Sequence, residues 1–165
     1  MKVYIKNKIV SIGEGSDVLD VNGQPIFKVK GNAVSFRRTK YICDMAGNVL
    51  YTVKNKLINL WKHRAFMYDA AGTKIATVSN KVFTVKKEFF VHGYKDEIKL
   101  EGNIFSLSSN ILRNGQVIGT MRRQIEVMRG IIGADSFELE GSEEDMPFLI
   151  ALIIAVDNIC DNIQR

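Results

Sequence analysis

Met146-Pro-Phe-Leu-Ile-Ala-Leu-Ile-Ile-Ala-Val156 is the longest strongly apolar run of the chain, 11 residues. Ser142-Glu-Glu-Asp145 precedes it and resembles a capping box, with acidic side chains at a helix N-terminus, where the dipole favours them. Pro147 falls within the first turn, where its missing N–H costs nothing. The pattern predicts a helix over residues 143–162. From Phe148 to Val156 that helix is apolar on every side, whereas a surface helix shows one apolar stripe, so it must be enclosed. Residues 146–162 would span roughly 25 Å at 1.5 Å per residue, enough to thread a small barrel. A membrane-spanning helix needs about 20 apolar residues. The run therefore reads as a core plug, with Ala151 and Ala155 on one stripe where a wall can approach closely.

What encloses it is written upstream as a repeat. Asp20-Val-Asn-Gly23-Gln-Pro-Ile26, Asp44-Met-Ala-Gly47-Asn-Val-Leu50, Asp69-Ala-Ala-Gly72-Thr-Lys-Ile75 and Leu112-Arg-Asn-Gly115-Gln-Val-Ile118 share one pattern, with an apolar residue three positions after each glycine. Asp or Asn ahead of Gly supplies the turn of a tight hairpin. Between the turns the chain is rich in Val, Ile, Phe, Tyr and Thr, which predicts short strands. The segments are 2–6, 8–12, 16–21, 25–30, 33–43, 48–55, 58–68, 74–79, 81–91, 96–101, 103–112, 116–126 and 134–140. About a dozen antiparallel strands must hide their edges, and closure into a barrel does so completely. The expected fold is mainly β: a closed antiparallel β-barrel of about twelve strands around a central hydrophobic C-terminal helix. It forms one domain over residues 1–165, with the strands within 1–141.

Composition agrees. The chain has 165 residues, 46% hydrophobic and 25% charged, which is an ordinary globular balance. Two cysteines, Cys43 and Cys160, exclude a disulfide-dense secreted scaffold and a four-cysteine zinc site. The start lacks the uninterrupted apolar core of a signal peptide, so a cytoplasmic protein is expected. The net charge of +5 conceals an asymmetry: residues 1–130 hold 22 Lys and Arg against 10 Asp and Glu, while residues 131–165 hold Arg165 against eight acids. So basic a body attracts anionic surfaces, with solubility as the plainer use of the same charge.

The DxxGxxI hairpins, the Gly102-Asn103-Ile104-Phe105 and Gly133-Ala-Asp135-Ser-Phe137-Glu138 stretches and the terminal Asp145–Asp157 helix resemble the LURP-one-related family over nearly the whole chain. The resemblance implies a fold like the Tubby C-terminal domain and the phospholipid scramblases. Tubby-type domains bind phosphoinositides and tether to membranes, while scramblase relatives attach through a terminal segment that is not seen here. The family brings no catalytic constellation to carry across.

The residues that stand out are basic pairs. Arg37, Arg38 and Lys40 fall in one predicted strand or its turn, Lys86 and Lys87 in a second, and Arg122 and Arg123 in a third. Strand alternation lets one of each adjacent pair point outward. Three outward arms converging on one barrel face would clamp a phosphorylated headgroup through charge-assisted hydrogen bonds; dispersed, they form a solvated basic face. Trp61, Phe66 and Tyr68 alternate with Lys62 and Arg64, a pattern that can stack bases but that any half-buried strand also shows, so nucleic acid is disfavoured. There is no GxSxG elbow and no phosphate-binding loop, and His63, His92, Cys43 and Cys160 lack metal-ligand spacing. No enzyme activity, cofactor or metal is expected. Two functions stay open: a non-catalytic intracellular binding or membrane-tethering module for anionic phospholipid headgroups such as phosphoinositides, peripheral to the membrane, or a protein-interaction or regulatory module with an acidic partner.

Overall fold

The computed structural model describes residues 1–6, 16–31, 39–55, 64–80, 89–102, 108–124 and 136–163. In them lie twelve strands and one helix: β1 (Lys2–Lys6), β2 (Ser16–Leu19), β3 (Pro25–Gly31), β4 (Lys40–Cys43), β5 (Val49–Asn55), β6 (Arg64–Tyr68), β7 (Lys74–Asn80), β8 (Phe89–His92), β9 (Ile98–Gly102), β10 (Ser109–Arg113), β11 (Gln116–Gln124), β12 (Ser136–Gly141) and α1 (Met146–Ile163). Each strand pairs antiparallel with its sequence neighbours, and β1 pairs with β12, so the sheet closes into a barrel. The expected strand at 8–12 lies outside the described residues.

The repeat resolves into a repeated geometry. In the first three hairpins the Asp N–H donates to the carbonyl four residues on and the Gly N–H returns to the Asp carbonyl, at 2.8–3.1 Å. The Asp side chain closes the loop: Oδ1 of Asp20, Asp44 and Asp69 accepts the N–H of Gln24, Asn48 and Thr73, each at 2.8 Å. Gly23, Gly47 and Gly72 sit at φ between 78° and 93°, the left-handed region where a Cβ is penalised. The fourth member departs from this. Leu112 stands where the others have Asp, and the chain turns on Asn114 (φ 50°) and Gly115 (φ 81°), both left-handed, as a two-residue turn requires. The first three hairpins shift register one pair ahead of the turn, at Val18/Leu19, Ile42/Cys43 and Met67/Tyr68, and the fourth two pairs ahead, at Ile111/Leu112.

Strand direction alternates around the barrel, so these four turns, the loop 93–97 and the entry to α1 share one rim, here the turn rim. The opposite strand ends form the far rim. From the turn rim α1 runs down the interior. Ser142 Oγ accepts the Asp145 N–H at 3.1 Å and donates to Asp145 Oδ2 at 3.0 Å, as the capping sequence predicts. The helix itself begins at Met146, three residues later than expected, because Glu143–Asp145 form a turn. Every residue from Phe148 to Val156 is 2% exposed or less, against inward-facing Val3, Val29, Ile42, Val53, Met67 and Val78. The tightest approach shown comes from wall glycines rather than helix alanines. A Cβ on Gly119 would lie 2.8 Å from Leu149 Cδ1, and one on Gly141, its cross-strand partner, 2.5 Å from the same atom.

Candidate functional site

The turn rim carries a closure around the head of α1. Arg113, at the end of β10, places its guanidinium 2.7 Å from Asp145 and 3.7 Å from Asp96, and its Cζ lies 5.7 Å from the centre of the Phe148 ring. Tyr94 stacks on that ring at 4.7 Å, and Tyr51 meets it edge-on at 6.3 Å. Asn114 Oδ1 accepts the Glu97 N–H, and its Nδ2 donates to Asp96. Burial is the largest single influence on Arg113 and opposes its charge, but the Asp145 hydrogen bond together with the nearby charges of Asp145 and Asp96 outweighs it, and the pKa is raised. These contacts hold the helix in the barrel mouth, with Arg113 Nε left without a hydrogen-bond partner. Nothing in the sequence repeat marked Arg113; its only signal was a basic residue directly before an Asn-Gly turn.

The candidate anion-binding set is dispersed in part. Arg37, Arg38, Lys86 and Lys87 lie outside the described residues. Lys40 faces inward: it is 3% exposed, pairs with Val53 and alternates with Ile42, both at 0%. Strand alternation decides this, since Lys40 and Ile42 are two apart and share the core face. Arg122 is exposed on the outer wall, opposite Glu138 in register. Beside it Lys2 Nζ lies 3.0 Å from Glu138 and 3.7 Å from Glu140, and the Glu138 hydrogen bond raises the Lys2 pKa. Arg123 pairs with Phe137. Five strand steps separate β11 from β4 around the hoop, about 24 Å of wall. Arg122 and Lys40 therefore belong to no common site.

Of the basic-aromatic alternation, Trp61 and Lys62 lie outside the described residues. Phe66 and Tyr68 are half-buried on the outer wall, each covered by a lysine: Lys74 Nζ lies 5.6 Å from the Phe66 ring centre and Lys54 Nζ 4.6 Å from that of Tyr68. His92 is exposed and stacks on Phe90. Cys43 is buried. Among the described residues no three His, Cys, Asp or Glu side chains gather as a metal site, and no helix is long and apolar enough to cross a membrane.

The two sets of connecting stretches differ in charge by sequence. The stretches joining strands at the turn rim (20–24, 44–48, 69–73, 93–97, 114–115 and 142–145) hold eight Asp and Glu against Lys95. The stretches joining the far-rim strand ends (7–15, 32–39, 56–63, 81–88, 103–108 and 125–135) hold nine Lys and Arg against four acids. The first set of connections thus sums to −7 in sequence and the second to +5. The basic pairs Arg37/Arg38 and Lys86/Lys87 fall in the second group.

The far rim differs inside as well. Asn55 ends β5, Asn80 ends β7, Ser109 opens β10, and Asn158 lies on the distal part of α1; all are at least nine-tenths buried.

The profile of the LURP-one-related family matches residues 1–157. The chain belongs to the LURP-one-related family. Two relatives fit that membership. A Bacillus subtilis protein, YxjI, is 24% identical over 98% of this chain and 95% of its own length. Protein LURP-one-related 15 of Arabidopsis thaliana is 21% identical over 94% of this chain and 78% of its own length. The X-ray structure of an Arabidopsis thaliana protein superposes with a TM-score of 0.61 at 17% identity, covering 99% of this chain and 92% of that one. At that identity the likeness concerns the fold alone.

Proposed function

We propose that this LURP-one-related barrel is a non-catalytic binding module that sets its basic far rim against the anionic phospholipid headgroups of a membrane. The observation that carries the reading is the unequal charge of the sequences that join the strands, −7 over the turn-rim connections against +5 over the connections between the opposite strand ends. Such a molecule orients itself in a field: the basic rim is drawn to an anionic surface while the acidic rim is repelled, which favours one docking pose without a deep pocket. The barrel interior is filled by α1, so recognition falls to the rim and the outer wall. The resemblance to Tubby-type domains, which bind phosphoinositides, points the same way.

Co-sedimentation with neutral, phosphatidylserine and phosphoinositide vesicles at about 0.1 M and about 0.5 M salt tests this, since exposed charges more than about 10 Å apart are already largely screened at the lower value. Binding to anionic vesicles that weakens with salt and falls on charge reversal of Arg37/Arg38 or Lys86/Lys87, but not of Glu143/Glu144, is the expected result. Absence of binding by the folded protein, or equal effects of the acidic and basic reversals, overturns the membrane reading. In the first case the basic rim passes to an acidic partner protein.

A further inference from the structure

The hairpin repeat contains one position that folding does not account for. In each Asp-x-x-Gly turn the Asp side chain closes the loop and the Gly takes the left-handed backbone. The residue directly after the Asp projects at the tip: Val21 is 62% exposed, Met45 is 44% exposed, and Ala70 is exposed too. Solvent-facing turn positions are ordinarily polar or Gly. Met1, Val49 and Val117 are also exposed, at 42%, 38% and 56%. All of these lie at the turn rim, on the arc that runs from β11 through β12 and β1 to β7. Among the described residues the only other large apolar side chain so exposed is Phe90, on β8. Single exposed apolar residues are commonplace, whereas a set gathered on one face marks an interaction surface.

The spacing of the tips has a match in helix geometry. Val21, Met45 and Ala70 top three successive hairpins, each two strand steps from the next, or about 10 Å. Apolar residues seven apart on an α-helix recur about every 10.5 Å, so a helix lying along the arc meets the tips in step. The turns are already fixed, because the Asp20, Asp44 and Asp69 side chains each hold a backbone N–H at 2.8 Å. Docking on them therefore orders little that was loose before.

Charge selects the occupant. Arg113 is engaged by Asp96 and Asp145, but among the described residues Asp20, Asp44, Asp69, Glu97, Glu143 and Glu144 have no ion-pair partner. The Asp20 and Asp44 carboxylates accept hydrogen bonds from uncharged amides, which leaves their charge uncancelled. Such a face repels an anionic membrane, a nucleic acid, and a second copy of this chain meeting it rim to rim. We propose that the turn rim is a docking surface for a basic amphipathic helix of a partner protein. Apolar residues seven apart on that helix meet Val21, Met45 and Ala70, while its Lys and Arg side chains meet the rim carboxylates. The surface rests on the described turns and not on the basic connections between the opposite strand ends, so it stands or falls apart from membrane binding.

The test is a fluorescence-anisotropy titration of the full-length protein into labelled peptides of about 14 residues, about 21 Å as a helix. One peptide carries Leu on one helix face and Lys on the other; in the second every Leu is Ser, and in the third every Lys is Glu. The Leu/Lys peptide should saturate at one per molecule and bind at least about tenfold more tightly than either control, less so at about 0.5 M than at about 0.1 M salt. Val21→Ser/Met45→Ser and Glu143→Lys/Glu144→Lys should each weaken it at least about tenfold with Tm nearly unchanged, since these side chains are on the surface. The single variants Met45→Ser and Glu144→Lys, with a smaller loss in the same direction, serve should a double variant fail to fold. Phe90→Ser, away from the rim, and Lys86→Glu/Lys87→Glu, which should abolish vesicle binding, should both leave the peptide bound. Equal affinity for the Ser peptide would overturn the proposal by reducing the rim to diffuse charge. Absence of saturable binding would overturn it outright, and binding that survives both rim variants would place the peptide elsewhere and refute these residues.

Discussion

Gly119→Ala probes the contact between plug and wall where the clearance is smallest. The new methyl would lie 2.8 Å from Leu149 Cδ1, 3.1 Å from the Glu140 carbonyl oxygen and 3.2 Å from Leu149 Cδ2. Leu149 is fully buried on a helix enclosed by the barrel, so it has no free direction in which to withdraw. Overpacking of this kind typically costs about 1–3 kcal/mol, and at this chain length each kcal/mol lowers Tm by about 2–4 °C. A fall of about 2–12 °C follows. Leu149→Ala alone removes a buried side chain and should cost about 2–5 kcal/mol. In the double variant the added methyl enters space that Leu149 has vacated, so the combined loss should fall short of the sum by about 0.5–3 kcal/mol. Urea denaturation of the two single variants, the double variant and the parent completes the cycle. An unchanged midpoint for Gly119→Ala, or strict additivity, would refute the close packing of α1 against β11 and β12.

Two further outcomes follow from the turn rim. Arg113→Met leaves Asp145, whose side chain is only 18% exposed, without its 2.7 Å partner, and should cost about 1–3 kcal/mol in urea; an unchanged midpoint would show that Arg113 does not hold the head of the helix. Backbone N–H donation from Gln24 to Asp20, and the Asn48 side chain and N–H to Asp44, hold both carboxyls below the ordinary range. A depressed folded-state pKa contributes stability that is complete above the unfolded value, near 3.9, and is lost as pH falls through the folded value. Tm should therefore drop on acidification from about pH 5 to about pH 2.5, and drop less in Asp20→Ala/Asp44→Ala; equal drops would contradict the assignment.

The architecture was legible because its determinants are local. The spacing of Asp and Gly specifies each of three hairpins through a side-chain acceptor and a positive φ, and an all-apolar Phe148–Val156 permits nothing but enclosure. Long-range determinants were less legible. Gly119 and Gly141 gain their meaning only when cross-strand pairing sets them together under Leu149, 30 and eight residues away in sequence. Leu112-Arg-Asn-Gly115 fits the repeat by its glycine and yet turns differently, because Leu112 cannot accept the hydrogen bonds that Asp accepts. Proximity in sequence groups Lys40 with Arg37 and Arg38, whereas the register of β4 with β5 turns it inward. Asn55, Asn80 and Asn158 are isolated amides far apart in the chain. Only barrel closure, with the helix returning through its centre, brings them to one end.

The most direct test of a helix enclosed by its own barrel is native-state hydrogen exchange of the α1 amides across a low-urea series. Amides of Ile153–Val156 bond within the helix and are shielded by the barrel, so they should exchange only when the whole barrel opens, with a free energy and urea dependence equal to those of global unfolding. Exchange of these amides at a markedly lower free energy and with little urea dependence, while β5, β6 and β7 remain protected, would mean that the helix leaves an intact barrel, and would contradict the account.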